Sequence, residues 1–522
     1  MRAADPAART SRRPHGHRPP AFLTAPAVVV AVLALLPLAY LVVRAGEAGP
    51  ARVVDVVLRE RTAALVGRSV LLVALVTLLA LGIGVGLAFL VARTDVPGRR
   101  LLGALAPLPL AVPSYVAAFA WISAVPEVAG LLGSVLVLTL CCYPYVYLPV
   151  LAALRRADPG VEEVARSLGR TPWQAFREVT LRQVRPAAAA GGLLVALYTL
   201  SDFGSVSILR YDVFTRVIHS AYRSSFDRTT AAVLALLLVL LTVAISVGEN
   251  RVRRRDVPRV GAGVSRRPDP VALGAARAPL AAAGGLVVGL ALAFPVASLL
   301  YWFTTGLSAG IDGDRLARSV VATAWLALLG ALACALGAVP VGILAARYRG
   351  RFTTAVEQVT YAGHALPGIV VALSLVFLGI RVVPWAYQEV PLLVLAYVVL
   401  FLPTAVGAVR SSVGQSSVRG EEVARSLGAT PGEVLRRVTL PLAAPGIGAG
   451  TALVLLTCMK ELPATLLLHP TGTDTLATSL WTETGVGAYG AAAPYGLALV
   501  VLAVLPTIWL MRASDPDRGP SR

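Results

Sequence analysis

Two carboxylates stand inside apolar stretches of this chain, Asp202 in TLSDFGSVSIL and Glu461 in TCMKELPATLLLHP. They are 259 residues apart, and each lies 16 residues beyond a proline, Pro186 or Pro445. At about 1.5 Å per helical residue that is roughly 24 Å, most of the way across a hydrocarbon layer. Charge at such depth is costly, and it marks a pathway or a charge with a dedicated partner. Glu461 has Lys460 beside it, and either carboxylate also stands where it could cap a broken helix, at Gly204 or Pro463. Tyr143, with Tyr115, Tyr145 and Tyr147, adds phenol oxygens within apolar runs, where tyrosine also serves as interface anchor or core filler.

Other chemistry finds no support. The cysteines (Cys141, Cys142, Cys334, Cys458) all lie in apolar runs without a CxxC, as small core residues do. The histidines (His15, His17, His219, His364, His469) have no partner at i+3 or i+4, so zinc and haem are not expected, and no metal ligands are assigned. No nucleophile–base arrangement appears, and no residue is read as catalytic. A phosphate-binding GxxxxGK[ST] loop needs a lysine, and the one lysine, Lys460, lies in an apolar run. The chain therefore cannot use ATP by itself.

The elements that hold these residues are membrane spans. Of 522 residues, 57% are apolar and 14% charged, with a mean hydropathy of +0.74. Soluble domains are about 45–50% apolar and about 25% charged. That excludes a soluble enzyme, a disordered chain and a disulfide-stapled secreted domain. Twelve apolar runs are long enough to cross a bilayer: 22–43, 65–92, 101–125, 131–151, 186–205, 229–247, 279–303, 319–345, 359–380, 391–409, 445–468 and 491–511. Their length suits helices, not barrel strands. The first is read as an uncleaved span, since its core is too long for a secretory signal and no A-x-A site follows it.

The net charge of +19 is nearly all arginine, placed between the runs, so it points to a membrane surface and not to nucleic acid. With both termini cytoplasmic, the inner segments carry 34 of the 47 basic residues, and the outer segment 469–490 carries none. The positive-inside rule supports that orientation, although segment 206–228 holds four arginines on the outer side.

The chain repeats itself. Residues 162–186 (EEVARSLGRTPWQAFREVTLRQVRP) and 421–445 (EEVARSLGATPGEVLRRVTLPLAAP) agree at 15 of 25 positions. Six spans precede the joint and six follow, so the halves are parallel. The expected layout is a basic tail (1–21), a first half (22–248, core about 65–248), a linker (249–278), a second half (279–511, core about 315–511) and a tail (512–522). Both repeated segments fall between spans on the cytoplasmic side. Thr171-Pro172 with Gln174, and Thr430-Pro431 with Glu433, match a capping box with proline at the first helical position. Gly169 and Gly428 suit left-handed helix ends. Each loop is thus expected to be two short helices meeting at a glycine.

The loops resemble the coupling-loop signature of ABC importer permeases, E-A-A-x-x-x-G followed by I-x-L-P. It reads here as Glu163-Val164-Ala165, Gly169, Val179 and Leu181, and again as Glu422-Val423-Ala424, Gly428, Val438, Leu440 and Pro441. Valine replaces the middle alanine and the isoleucine in both copies, and Arg182 replaces the proline in the first. The resemblance implies an all-α membrane protein of about twelve transmembrane helices in two parallel six-span repeats, the type I importer permease fold. It also implies that Glu163, Ala165, Gly169, Glu422, Ala424 and Gly428 sit in loops that insert into a separate ATP-binding cassette ATPase, two copies per chain. An extracytoplasmic substrate-binding protein would deliver the solute, and ATP would stay on the partner, with no cofactor on this chain.

The segments around Asp202 and Glu461, together with DTLATSLWTETGVGAYGAAAPYGL, look like the ferric-iron importers, with fused thiamine and phosphonate permeases as relatives. Ferric ion is a hard cation that favours oxygen donors, which makes Asp202, Glu461 and Tyr143 pathway candidates. An ion-coupled secondary transporter of twelve spans is the rival reading, and it would need no coupling loops.

Overall fold

The computed structural model describes residues 19–47, 49–157, 159–223, 227–253, 270–306, 312–348, 350–363 and 366–513. Most of the N-terminal tail, linker residues 254–269, the chain after Ala513, and His15, His17 and His364 lie outside the described residues. Among the described residues the chain is helical, with no strand.

All twelve apolar runs fall on helices. Among the described residues nine are long and apolar enough to cross a membrane in one piece: Ala21–Gly46, Glu60–Arg93, Leu131–Arg156, Arg177–Ser201, Arg228–Val247, Gly274–Gly306, Gly313–Arg347, Val390–Gln415 and Pro431–Met459. The third run is not continuous. Its limbs, Arg99–Ala111 and Ser114–Ala124, meet at 96°. Pro107, Pro109 and Pro113 crowd that corner, and each removes a helical donor. The ninth run divides likewise, into Arg351–Ala362 and Gly368–Arg381, with Pro367 before the second limb. The fifth and eleventh runs also end early. Short helices Gly204–Ile208 and Pro463–Leu468 follow breaks at Asp202 and at Lys460–Leu462.

Each half is built on the same triangle. Numbering the spans by the twelve runs, span 2 (Glu60–Arg93) packs on spans 4 (Leu131–Arg156) and 5 (Arg177–Ser201), and span 8 (Gly313–Arg347) on spans 10 (Val390–Gln415) and 11 (Pro431–Met459). Small residues permit this closeness, as in membrane helix packing generally. A Cβ on Gly191 would lie 2.7 Å from the Tyr145 carbonyl oxygen, and one on its repeat equivalent Gly450 would lie 2.4 Å from the Cβ of Ala408.

The first span of each half crosses to the other half. Span 1 lies along spans 8 and 9, where Tyr40 donates to the Phe377 carbonyl (3.2 Å) and Glu47 pairs with Arg381 (3.1 Å). Span 7 lies on Ser114–Ala124 and span 12, and Ser298 Oγ donates to the Ala120 carbonyl (2.8 Å). Neither half therefore buries its own surface alone.

The end of the linker is not free. Val271 N donates to the Arg93 carbonyl (2.7 Å), Asp95 N to the Val271 carbonyl (3.3 Å), and Arg277 pairs with Asp95 (3.3 Å). This strap ties the entry of the second half to the C-terminal end of span 2.

Candidate functional site

Asp202 and Glu461 sit at the breaks that end spans 5 and 11, and both are buried. Asp202 Oδ1 accepts from Ser205 N (3.1 Å), Val206 N (3.3 Å) and Ser205 Oγ. Its Oδ2 accepts from Ser114 Oγ (2.5 Å), at the start of the second limb of span 3. Glu461 does the same work in the second half. Its Oε1 accepts from Ala464 N (2.9 Å), and its Oε2 from Thr465 N (2.9 Å) and Thr465 Oγ1 (3.1 Å). Each carboxylate thus satisfies donors at the start of a short helix that would otherwise be orphaned in a dry place. The capping alternative describes this conformation, with the oxygen donors drawn onto the backbone.

Where Asp202 has Ser114 beside it, the longer Glu461 has Gly368. Gly204, in turn, lies under Tyr115, where a Cβ would come within 2.6 Å of the Tyr115 Cβ and 3.1 Å of a Leu462 methyl. The two halves meet here. Lys460 crosses the seam, and its Nζ donates to the Leu110 carbonyl (2.8 Å) at the corner of span 3. That carbonyl is available because the corner interrupts the helix. Lys460 does not pair with Glu461, whose oxygens are taken by the cap.

The tyrosines divide. Tyr143 is fully buried in span 4, and its hydroxyl, like that of Tyr115, has no partner among the described residues. Tyr147 donates to the Gly103 carbonyl (3.4 Å), and Tyr145 packs on Tyr198 with ring centroids 5.7 Å apart. His219 lies against Phe203 (4.8 Å), and His469 Nδ1 meets the Thr465 carbonyl (3.0 Å). Among the described residues, no three His, Cys, Asp or Glu side chains converge as a metal site would require. At the end of the molecule opposite the repeated loops is a groove of about 520 Å³. Both halves line it, with Tyr222, Tyr387, His469, Asp474 and Trp481. Sequence reading missed it, since its residues come from four separate segments.

The two loops have matching geometry. Pro159–Ser167 and Val418–Ser426 are the first helices, and Pro172–Ala175 and Pro431–Val434 the second. Gly169 (φ 87°) and Gly428 (φ 86°) are left-handed. Arg170 N donates to the Ala165 carbonyl and Gly169 N to that of Arg166, while Ala429 N and Gly428 N reach Ala424 and Arg425. These are Schellman ends. Both capping boxes form, Thr171 with Gln174 (3.0 and 3.3 Å) and Thr430 with Glu433 (3.0 and 3.4 Å). Each second helix runs into span 5 or 11 through one π turn, Phe176–Thr180 or Leu435–Thr439.

Glu163 and Glu422 face outward, and beside them Leu168 is 79% and Leu427 82% exposed. Leucines so bare at the tip of a tightly capped turn have no role in the chain's own packing. The preceding glutamates turn inward. Glu421 is buried against Arg347, and Glu162 faces Arg93. Two adjacent glutamates on one helix cannot share a face, and that was the available signal for the inward pair.

Comparison with known proteins fits this architecture. The family described as binding-protein-dependent transport system inner membrane component matches residues 65–250 and again residues 338–519. The chain belongs to this family. The matched segments contain one repeated loop each and leave out span 1, span 7 and the larger part of span 8.

Among relatives, the chain is 36% identical over 500 residues to the Fe(3+)-transport system permease protein FbpB 2 of Haemophilus influenzae, covering 95% of this chain and 99% of that one. It is 29% identical over 254 residues to the sulfate transport system permease protein CysT of Salmonella typhimurium, covering 44% of this chain and 91% of that one. With the molybdate/tungstate transport system permease protein WtpB of Thermococcus kodakarensis it shares 27% over 187 residues, 34% of this chain and 74% of that one. The chain is a multi-pass permease of the ABC transport class, with two fused permease repeats.

Proposed function

We propose that this permease forms the membrane pathway of an ATP-driven importer for ferric iron. The likeness that carries the substrate is the 36% identity, over nearly the full length of both chains, to a permease named for Fe(3+) transport. Two ATPase copies would dock on the two loops, with Glu163, Ala165, Gly169 and Leu168 on one side and Glu422, Ala424, Gly428 and Leu427 on the other. Bare leucines and a free glutamate on a capped turn support that reading, because a rigid tip transmits force where a floppy one absorbs it.

Both termini and both loops then face the cytoplasm, as the arginine distribution favours. The groove at the opposite end receives the ion from an extracytoplasmic binding protein, and Asp202, Glu461 and Tyr143 lie inward of it. ATPase closure draws the loops together and parts the seam where Lys460 holds Leu110. A hard cation would meet Asp202 and Glu461 once the short helices they cap shift away.

The test is uptake of labelled ferric iron in cells with and without the gene, with labelled thiamine and sulfate in parallel. Loss of iron uptake alone supports the substrate. Intact iron uptake in a strain without another ferric importer moves the substrate to another solute and leaves the permease class in place.

A further inference from the structure

We propose that Arg347 is the positioning residue that carries movement of the second loop into the membrane, and that the two loops are mechanically unequal. This rests on the reading of both loops as ATPase-docking elements.

Arg347 is the last residue of span 8, with its side chain 12% exposed. Its Nε donates to Glu421 Oε1 (2.9 Å), and Nη2 lies 2.9 Å from the same oxygen. Nη2 also donates to Ser416 Oγ (2.7 Å) and to the Ser416 carbonyl (3.2 Å), just beyond span 10. Glu421 Oε1 further accepts from Thr439 Oγ1 (3.1 Å), at the head of span 11, and Oε2 from Arg425 (3.2 Å). One buried ion pair therefore joins the ends of spans 8 and 10, the start of span 11 and the first loop helix. Separating it would strand a charge in a dry site, so these parts move together. The planar guanidinium fork suits this hub, since it holds several acceptors in fixed directions.

The first half keeps the same arginine and glutamate but not the hub. Arg93 Nη1 stands 3.8 Å from Glu162 Oε2, and Arg93 Nε has no partner among the described residues. Ala157 occupies the position of Ser416, so the hydroxyl that receives Arg347 is missing. Thr180 Oγ1 still donates to Glu162 Oε2 (2.8 Å). The Arg93 carbonyl is instead taken by Val271 of the strap (2.7 Å). Movement of the first loop thus reaches span 2 through a looser contact, on a span end already held by the linker.

Spin labels on Glu60→Cys and Asp314→Cys, exposed at the far ends of spans 2 and 8, read the opening without any transported solute. All four native cysteines are buried and stay unlabelled. The chain is measured in complex with its ATPase, with and without nucleotide. The nucleotide-driven change in separation should shrink at least ~threefold in Arg347→Gln and stay within ~1.5-fold of wild type in Arg93→Gln. The swap Arg347→Glu with Glu421→Arg should recover at least about half of it.

An unchanged response in Arg347→Gln, or equal losses in the two variants, overturns the proposal. Should Arg347→Gln fail to assemble, Arg347→Lys keeps the charge and loses the fork, and a wild-type response there overturns the proposal equally. A wild-type chain that does not retain the ATPase overturns the docking reading itself.

Discussion

Glu461 occupies the room that Gly368 leaves empty: a Cβ on Gly368 would stand 2.9 Å from Glu461 Oε1 and 3.0 Å from the ring of Pro463. In the other half the shorter Asp202 leaves space for Ser114, which donates to it at 2.5 Å. The same cap is thus built twice with opposite division of volume, glutamate against glycine and aspartate against serine.

Gly368→Ala should push Glu461 off its cap on Pro463–Leu468. A lost cap costs about 0.5–2 kcal/mol. Uptake should fall while membrane insertion persists. The double variant Gly368→Ser with Glu461→Asp rebuilds the arrangement of the first half and should restore more activity than either change alone. Uptake by all four forms in a double-mutant cycle checks this, and strict additivity would show that the two sites are independent.

Lys460→Met removes the side chain that spans the seam and leaves the Leu110 carbonyl without its donor. A buried polar group left unsatisfied costs about 1–3 kcal/mol. Thermal unfolding of the purified chain should shift down accordingly. A midpoint equal to that of wild type would mean that water or a relaxed corner replaces the lysine.

Glu163→Ala with Glu422→Ala should abolish most uptake without unfolding the spans, since both side chains are exposed. Leu168→Ser with Leu427→Ser should weaken retention of the ATPase, and these leucines are 79% and 82% exposed, so the chain's own stability should barely change. Co-purification of the ATPase reads both. Wild-type binding and uptake in both double variants would end the docking role.

Gly428→Ala places a Cβ at φ 86°, which costs roughly 1 kcal/mol, whereas asparagine tolerates that region better. The alanine variant should lower uptake more than Gly428→Asn does, although nothing lies within 4 Å of the position to clash. Equal activity in the two would show that the bend is not limiting.

Spans, repeat and loop geometry could be read from the sequence because their causes are local. A run of apolar residues meets the hydrocarbon wherever the rest of the chain goes. A capping box needs only Thr430 and Glu433, three residues apart, and a Schellman end only Gly428 after its own helix. The corner in span 3 was written in Pro107, Pro109 and Pro113, but an apolar run through three prolines does not say whether the helix kinks or turns back.

What only the tertiary structure decided is the matching of groups remote in the chain. Lys460 looked like the partner of its neighbour Glu461, yet it reaches Leu110 because the broken corner frees a carbonyl 350 residues away. Glu163 and Glu162 are equal as letters, and the position of Arg93 at the end of another span turns one inward and leaves the other exposed. Span 1 belongs by order to the first half yet lies mainly along spans 8 and 9, and span 7 is wedged between span 12 of its own half and the second limb of span 3. In each case the choice was made by which surface or donor remained unsatisfied after the helices packed, and a linear sequence does not record that.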